Sequence, residues 1–210
     1  MYFEYGEEET AYLSGRDAAL GEAIARVGHV YRTVDDDLFS SVVHHIIGQQ
    51  ISTRAQQTVW QRMLDSLGEI APATLASADP DALQGLGMTH RKAGYIQKFA
   101  RKVEDGEFDL GAVAQMDDAD AINALTSLDG VGVWTAEMIL LFCLERPDVL
   151  SFRDLGIRRG MRMVYQAAEI DGEFFEERRQ RLSPHGSVAS LYFWAVSGGA
   201  VCGLRDPAKG

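Results

Sequence analysis

The chain has 210 residues, 46% of them hydrophobic, and a formal net charge of −11 at pH 7. That length suits one large domain or two small ones with a real core, and the charge argues against a protein that coats DNA nonspecifically. No apolar run approaches the roughly 20 residues of a membrane helix, and the acidic first residues lack the basic and apolar regions of a secretory signal, so a cytoplasmic protein is expected.

Residues 1–37 hold nine acids against three bases. Leu38, Val42, Val43, Ile46 and Ile47 then recur at helical spacing and predict one apolar face. Gly48-Gln49-Gln50-Ile51-Ser52 interrupts that helix, and Ser52 or Thr53 caps the next, which carries Val59, Trp60, Met63, Leu64 and Leu67. Trp60 is assigned to the core. Asp79-Pro80 reads as an N-cap followed by proline at the first helical position. Gly85-Leu86-Gly87 is a turn, and Thr89 caps a helix with Ala93, Ile96, Ala100 and Val103 facing inward. Lys92 and Lys98 on that helix read as solvated surface charges. Asp117 or Asp118 opens a helix with Ile122 and Leu125, and residues 133–144 form a strongly apolar, central one. Further helices follow Asp154, lie around residues 173–182 and run from residue 187 to 196. With no strand alternation, internal repeat or long linker, the chain is expected to be all-α. The two cysteines, Cys143 and Cys202, read as buried thiols and are too few for an iron–sulfur cluster. His44, His45, His90 and His185 have no partners at metal-ligand spacing.

Two segments carry chemistry. Leu128-Asp129-Gly130-Val131-Gly132-Val133-Trp134-Thr135-Ala136 predicts a glycine hairpin opening onto a helix. Glycines let another backbone approach, and the free N–H groups and positive dipole end of the helix suit a phosphate. Taken alone, Gly-x-Gly is more often an ordinary turn between helices. The second segment is Ser151-Phe152-Arg153-Asp154-Leu155-Gly156-Ile157-Arg158-Arg159-Gly160, where one carboxylate sits among several arginines. An aspartate in that position is commonly a helix N-cap. Arg153, Arg158 and Arg159 either meet phosphate or pair with the acidic N-terminal segment.

These segments, with Ile46-Ile47-Gly48-Gln49-Gln50-Ile51-Ser52, Gly87-Met88-Thr89-His90-Arg91-Lys92-Ala93, Arg146-Pro147-Asp148-Val149 and residues 183–194, make the chain similar to the helix–hairpin–helix DNA glycosylases. It most resembles the AlkA-type 3-methyladenine-DNA glycosylase II branch, over about residues 35 to 200. The resemblance implies two helical subdomains flanking a cleft, with a hairpin motif followed by a catalytic-aspartate loop. One subdomain would be residues 36–150, the other residues 1–35 with 151–210. It implies a catalytic role for Asp154 and a base pocket of Trp134, Trp194, Tyr192, Met138 and Leu155. Tyr192 fits a pocket and a core equally. For DNA contact it implies Gly130, Val131 and Gly132 of the hairpin, Gln50 and Ser52, Arg158, and Leu67 as the wedge entering the duplex. The carbonyls of Thr126, Leu128 and Val131 match a site for a Na or K ion.

Departures from the family pattern matter too. Asp129 stands where the hairpin usually has proline, and Met138 and Leu155 replace pocket aromatics. Some relatives carry an extra N-terminal β-rich domain, for which this chain has no room. Bifunctional relatives have a lysine two residues past the second hairpin glycine; here that residue is Trp134. Without an amine there to form a Schiff base, the expectation is a monofunctional glycosylase that excises alkylated purines from damaged double-stranded DNA. It would act as a monomer, need no cofactor for catalysis, and associate with the nucleoid when DNA-bound. Two alternatives stay open: a glycosylase for deaminated or oxidised bases, and a non-catalytic DNA-binding module.

Overall fold

Aspartate starts most of the helices in this chain. The computed structural model describes residues 1–35 and 37–209, and among them lie thirteen α-helices. They are α1 (Glu7–Arg16), α2 (Ala18–Val27), α3 (Leu38–Gly48), α4 (Thr53–Leu67), α5 (Pro72–Ser77), α6 (Pro80–Gly85), α7 (His90–Glu104), α8 (Leu110–Gln115), α9 (Asp118–Thr126), α10 (Val133–Phe142), α11 (Leu155–Tyr165), α12 (Gly172–Leu182) and α13 (Gly186–Ser197). The side chains of Asp17, Asp37, Asp79, Asp109, Asp117, Asp154 and Asp171 each accept a backbone N–H from the first turn of the helix they precede. Ser52 and Thr89 do the same for α4 and α7. Each such cap is worth roughly 1 kcal/mol. Seven of the chain's 31 acidic residues therefore serve as local helix caps.

The helices group into two compact units, Met1–Val34 with Glu145–Gly210, and Asp35–Leu144. In the second unit α3 is central and packs against α4, α7, α8 and α10. Val42, Val43, Ile46 and Ile47 are fully buried, facing a core that includes Ile96, Phe99 and Ala100 of α7 and Ile139 and Leu141 of α10. Phe39 stacks on Phe99 at 5.0 Å between centroids. A helix apolar on all sides belongs inside, and α10 is buried over most of its length as its composition predicts. His45 is held in this unit against Asp35, and burial pushes its imidazole down to about 4. That histidine is a neutral core residue near neutral pH.

The first unit is built on α11 against α13, with α2 packed on both and α1 on α2. Ala23, Met163, Val196 and Val201 form one buried cluster there. The contact between α11 and α13 is unusually close: a β-carbon on Gly160 would lie 2.0 Å from the carbonyl oxygen of Phe193. Tyr165 donates to Asp17 at 3.0 Å, and Asp206 accepts both Nε and Nη2 of Arg162, at 2.8 and 2.7 Å.

The boundary differs from the one expected. Residue 36, where the sequence places the start of the central bundle, lies outside the described residues. Residues 145–150 group with the chain ends rather than with that bundle. The reason is a set of hydrogen bonds to α13: Ser187 N donates to the Pro147 carbonyl at 3.0 Å, Val149 N to Ser187 Oγ at 2.9 Å, and Ser190 Oγ to the Val149 carbonyl at 2.8 Å. Asp148 accepts from Ser183 Oγ at 2.6 Å and from Gly186 N at 3.0 Å. The cysteines also differ: Cys143 is half-buried and Cys202 exposed.

Candidate functional site

In the unit of residues 35–144, the expected hairpin lies between α9 and α10. The Val131 N–H closes it onto the Leu128 carbonyl at 3.1 Å. Gly130 has φ +84°, and a β-carbon there would sit 2.4 Å from the Tyr95 ring. Conformation and packing thus both require glycine at 130. Gly132 differs. It is the N-cap of α10 in an extended conformation, and a β-carbon on it would meet nothing within 4 Å. No internal contact demands a glycine there. The N-cap residue of α10, Gly132, supplies no side-chain cap, whereas Ser52, Thr89, Asp37, Asp79, Asp109 and Asp117 cap other helices of the unit. The N–H groups of its first turn point where an anion fits.

Neighbouring residues brace the hairpin. Gln49 Nε2 donates to the Gly130 carbonyl at 2.6 Å and ties the α3–α4 turn to it. Lys92 is not the solvated charge expected. Its ammonium donates to the carbonyls of Ile47 and Gln49, at 2.8 and 2.5 Å, and closes the end of α3. Burial lowers its pKa from the ordinary lysine value. Gln50 is exposed at the tip of that turn with φ +59°, a left-handed conformation rare outside glycine. Such strain tends to persist where function needs it. Ser52 is the α4 cap, accepting from Ala55 N at 3.3 Å. Leu67 fits the wedge role poorly. It ends α4, 15 residues long, and at 1.5 Å per residue that is roughly 20 Å from the braced turn. Gln50 and the neighbouring exposed Ile51 are better placed beside the hairpin.

Trp134, in the first turn of α10, is 41% exposed. Met138, one turn on, is buried. Its expected place in an open pocket is corrected by the all-round apolar burial of α10.

In the other unit, Asp154 is the N-cap of α11 and only 7% exposed. Its Oδ1 accepts from Ile157 N at 2.8 Å and from Trp194 Nε1 at 2.9 Å. The backbone of α11 and the indole of α13 therefore fix one carboxylate orientation. Gly156 makes this possible, because a β-carbon there would come 2.9 Å from Trp194 Cδ1. The Arg32 guanidinium lies over the same indole at 5.9 Å, within cation–π range. Leu155, directly after the aspartate, is 77% exposed. Capping and chemistry are compatible here, since the cap holds the acid in one rotamer.

Two expected site residues are committed elsewhere. Tyr192 is 1% exposed, packed edge-on to Tyr5, with the two hydroxyls 3.3 Å apart. Burial and that neighbour push its phenol pKa upward. It is a core residue rather than an open pocket wall. Arg158 lies over the Phe152 ring at 4.8 Å and donates to the Ile170 carbonyl at 3.3 Å, so its guanidinium braces the loop before Asp154. Sequence reasoning missed Tyr95 and Arg32 as bracing residues.

Residues 43–184 match the model of the HhH-GPD superfamily base excision DNA repair proteins. The chain belongs to that superfamily. A putative DNA-3-methyladenine glycosylase of Bacillus subtilis is 26% identical over 170 residues, covering 77% of this chain and 59% of the relative. The chain thus spans under two thirds of that relative's length. A DNA-3-methyladenine glycosidase structure from Bacillus halodurans superposes with TM-score 0.83 at 31% identity, covering 95% of this chain and 93% of the other. A Schizosaccharomyces pombe 3-methyladenine DNA glycosylase, solved in complex with abasic DNA, gives 0.81 at 22% identity, with coverages of 92% and 98%. The latter shows the shared all-helical fold.

Proposed function

We propose that this protein is a monofunctional DNA glycosylase that removes alkylated purines, of the 3-methyladenine and 7-methylguanine type, from double-stranded DNA. The observation that carries this is the single carboxylate of Asp154, aimed by two N–H donors, in a chain of the base excision repair superfamily. Relatives named for 3-methyladenine support the substrate class.

In the reaction the target nucleotide leaves the stack, and the α10 N-terminus with Gly132 holds a backbone phosphate. Gln50 or Ile51 fills the gap. Trp194 and Leu155, beside Asp154 in the same unit, meet the extruded base, with cation–π attraction favouring a positively charged purine. As the N-glycosidic bond breaks, the sugar becomes oxocarbenium-like. The Asp154 carboxylate stabilises that charge and orients the attacking water. An N3- or N7-alkylated purine departs as a neutral base, so a second acid is not required. The carbonyls of Thr126, Leu128 and Val131 are neutral oxygens suited to a Na or K ion, and the Leu128 carbonyl keeps a second lone pair beyond its bond to Val131. A bound ion would add positive charge for the phosphate. No described helix is long and apolar enough to cross a membrane. The enzyme acts as a monomer on nucleoid DNA.

Release assays test this. Duplexes carrying one methylated purine should yield the free base by mass, with strands that break only after alkali. Borohydride should trap no adduct, since Trp134 stands where an amine nucleophile would be needed. A trapped covalent complex contradicts the monofunctional mechanism, and absence of any released base contradicts the substrate class.

Gly132→Ala separates fold from DNA contact. The added methyl meets no protein atom, so the thermal midpoint should stay within about 3 °C. Duplex affinity should fall about tenfold, because the methyl occupies the phosphate's approach. Anisotropy titration beside a melting curve checks both, and unchanged affinity removes Gly132 from the interface.

A further inference from the structure

We propose that Lys98 is a DNA-phosphate ligand, and that Asp129 holds it in the free protein by occupying the place a phosphate takes on binding. This rests on the DNA-binding reading above and adds a contact that the hairpin motif does not supply. Lys98 lies on α7, and its Nζ is 2.9 Å from Asp129 Oδ2, in the turn just before Gly130. Tyr95, three residues earlier on the same helix, carries its ring against Gly130, so Lys98 is fixed in the frame of the hairpin. Lys102, one turn further along α7, also acts electrostatically on Asp129. The acid standing in the usual proline's position therefore faces two cations.

Both partners are exposed, with the Lys98 side chain at 68% of its free surface and that of Asp129 at 52%. Exposed pairs hold each other weakly and are screened by salt. Exchanging carboxylate for phosphate on a lysine is then nearly free, and lysine is a flexible point charge that follows the anion. The hydrogen bond between them, more than simple Coulomb attraction, raises the Lys98 pKa and lowers that of Asp129, so both stay charged through neutral pH. A structural role alone would have Lys98 do no more than neutralise the acid at the hairpin.

A double-mutant cycle separates the two roles. Wild type, Lys98→Ala, Asp129→Asn and the double variant are titrated with a duplex containing a tetrahydrofuran abasic analogue, from 50 to 200 mM NaCl. Lys98→Ala should bind about fivefold more weakly, with the slope of log K against log salt reduced by about 0.9. Asp129→Asn should bind about threefold more tightly, because the competing carboxylate is gone. The double variant should keep the reduced slope and bind more weakly than wild type. Return of the double variant to wild-type affinity and slope overturns the exchange and leaves Lys98 as a neutralising partner only. If wild type itself binds no duplex, the repair reading fails and this inference fails with it, an outcome distinct from reversion in the double variant.

Discussion

Asp154→Asn is expected to lower base excision by about a thousandfold while leaving the fold and the grip on abasic DNA in place. The asparagine side chain retains an Oδ1, so it still accepts from Ile157 N and Trp194 Nε1, the two bonds that fix this position. Both asparagine and aspartate are good N-caps, so the start of α11 survives. What disappears is the negative charge that faces the developing cation on the sugar. Single-turnover release of a methylated purine, beside anisotropy with an abasic duplex, measures the two properties separately. Loss of binding together with excision would mean that Asp154 organises the loop rather than the chemistry.

Gly160→Ala has the largest expected effect on stability. Its β-carbon would lie 2.0, 2.6 and 2.8 Å from the carbonyl oxygen, carbonyl carbon and Cα of Phe193. These are backbone atoms, so no rotamer change relieves them and α11 must move away from α13. Overpacking of this kind costs about 3 kcal/mol, which for a chain of this size lowers the melting temperature by roughly 6 to 12 °C. The same shift pulls Asp154 from Trp194, so excision should fall as well. Gly172→Ala is the matched control, because a β-carbon there meets nothing within 4 Å and a first-turn alanine is neutral or better. Calorimetry or thermal scanning of the two variants checks the contrast. A Gly160→Ala protein that melts with wild type would deny that α11 and α13 touch through their backbones.

Much of this architecture was legible in the residues. The Thr89, Asp79-Pro80 and Ser52 starts follow from side chains that satisfy free N–H groups, a purely local effect. The apolar run of α10 could only be a buried helix. The hairpin was visible because two glycines and a helix start are contiguous. What stayed hidden depended on contacts distant in sequence. Nothing local says that Trp194 donates to an acid 40 positions earlier, or that Gly156 and Gly160 are glycines because α13 passes over them. Lys92 was misread because its acceptors, at Ile47 and Gln49, belong to another helix and the turn that follows it. Tyr192 could not be divided between pocket and core until Tyr5 was seen against it.

The decisive measurement compares affinity for duplexes carrying a cationic pyrrolidine abasic analogue with affinity for those carrying the neutral tetrahydrofuran analogue, in wild type and Asp154→Asn. If the Asp154 carboxylate serves the positive charge that forms on the sugar, wild type should prefer the cationic analogue by about tenfold or more, and the asparagine variant should bind the two alike. Equal binding by wild type, or a preference that survives in Asp154→Asn, would contradict the assignment of that carboxylate to the reacting sugar.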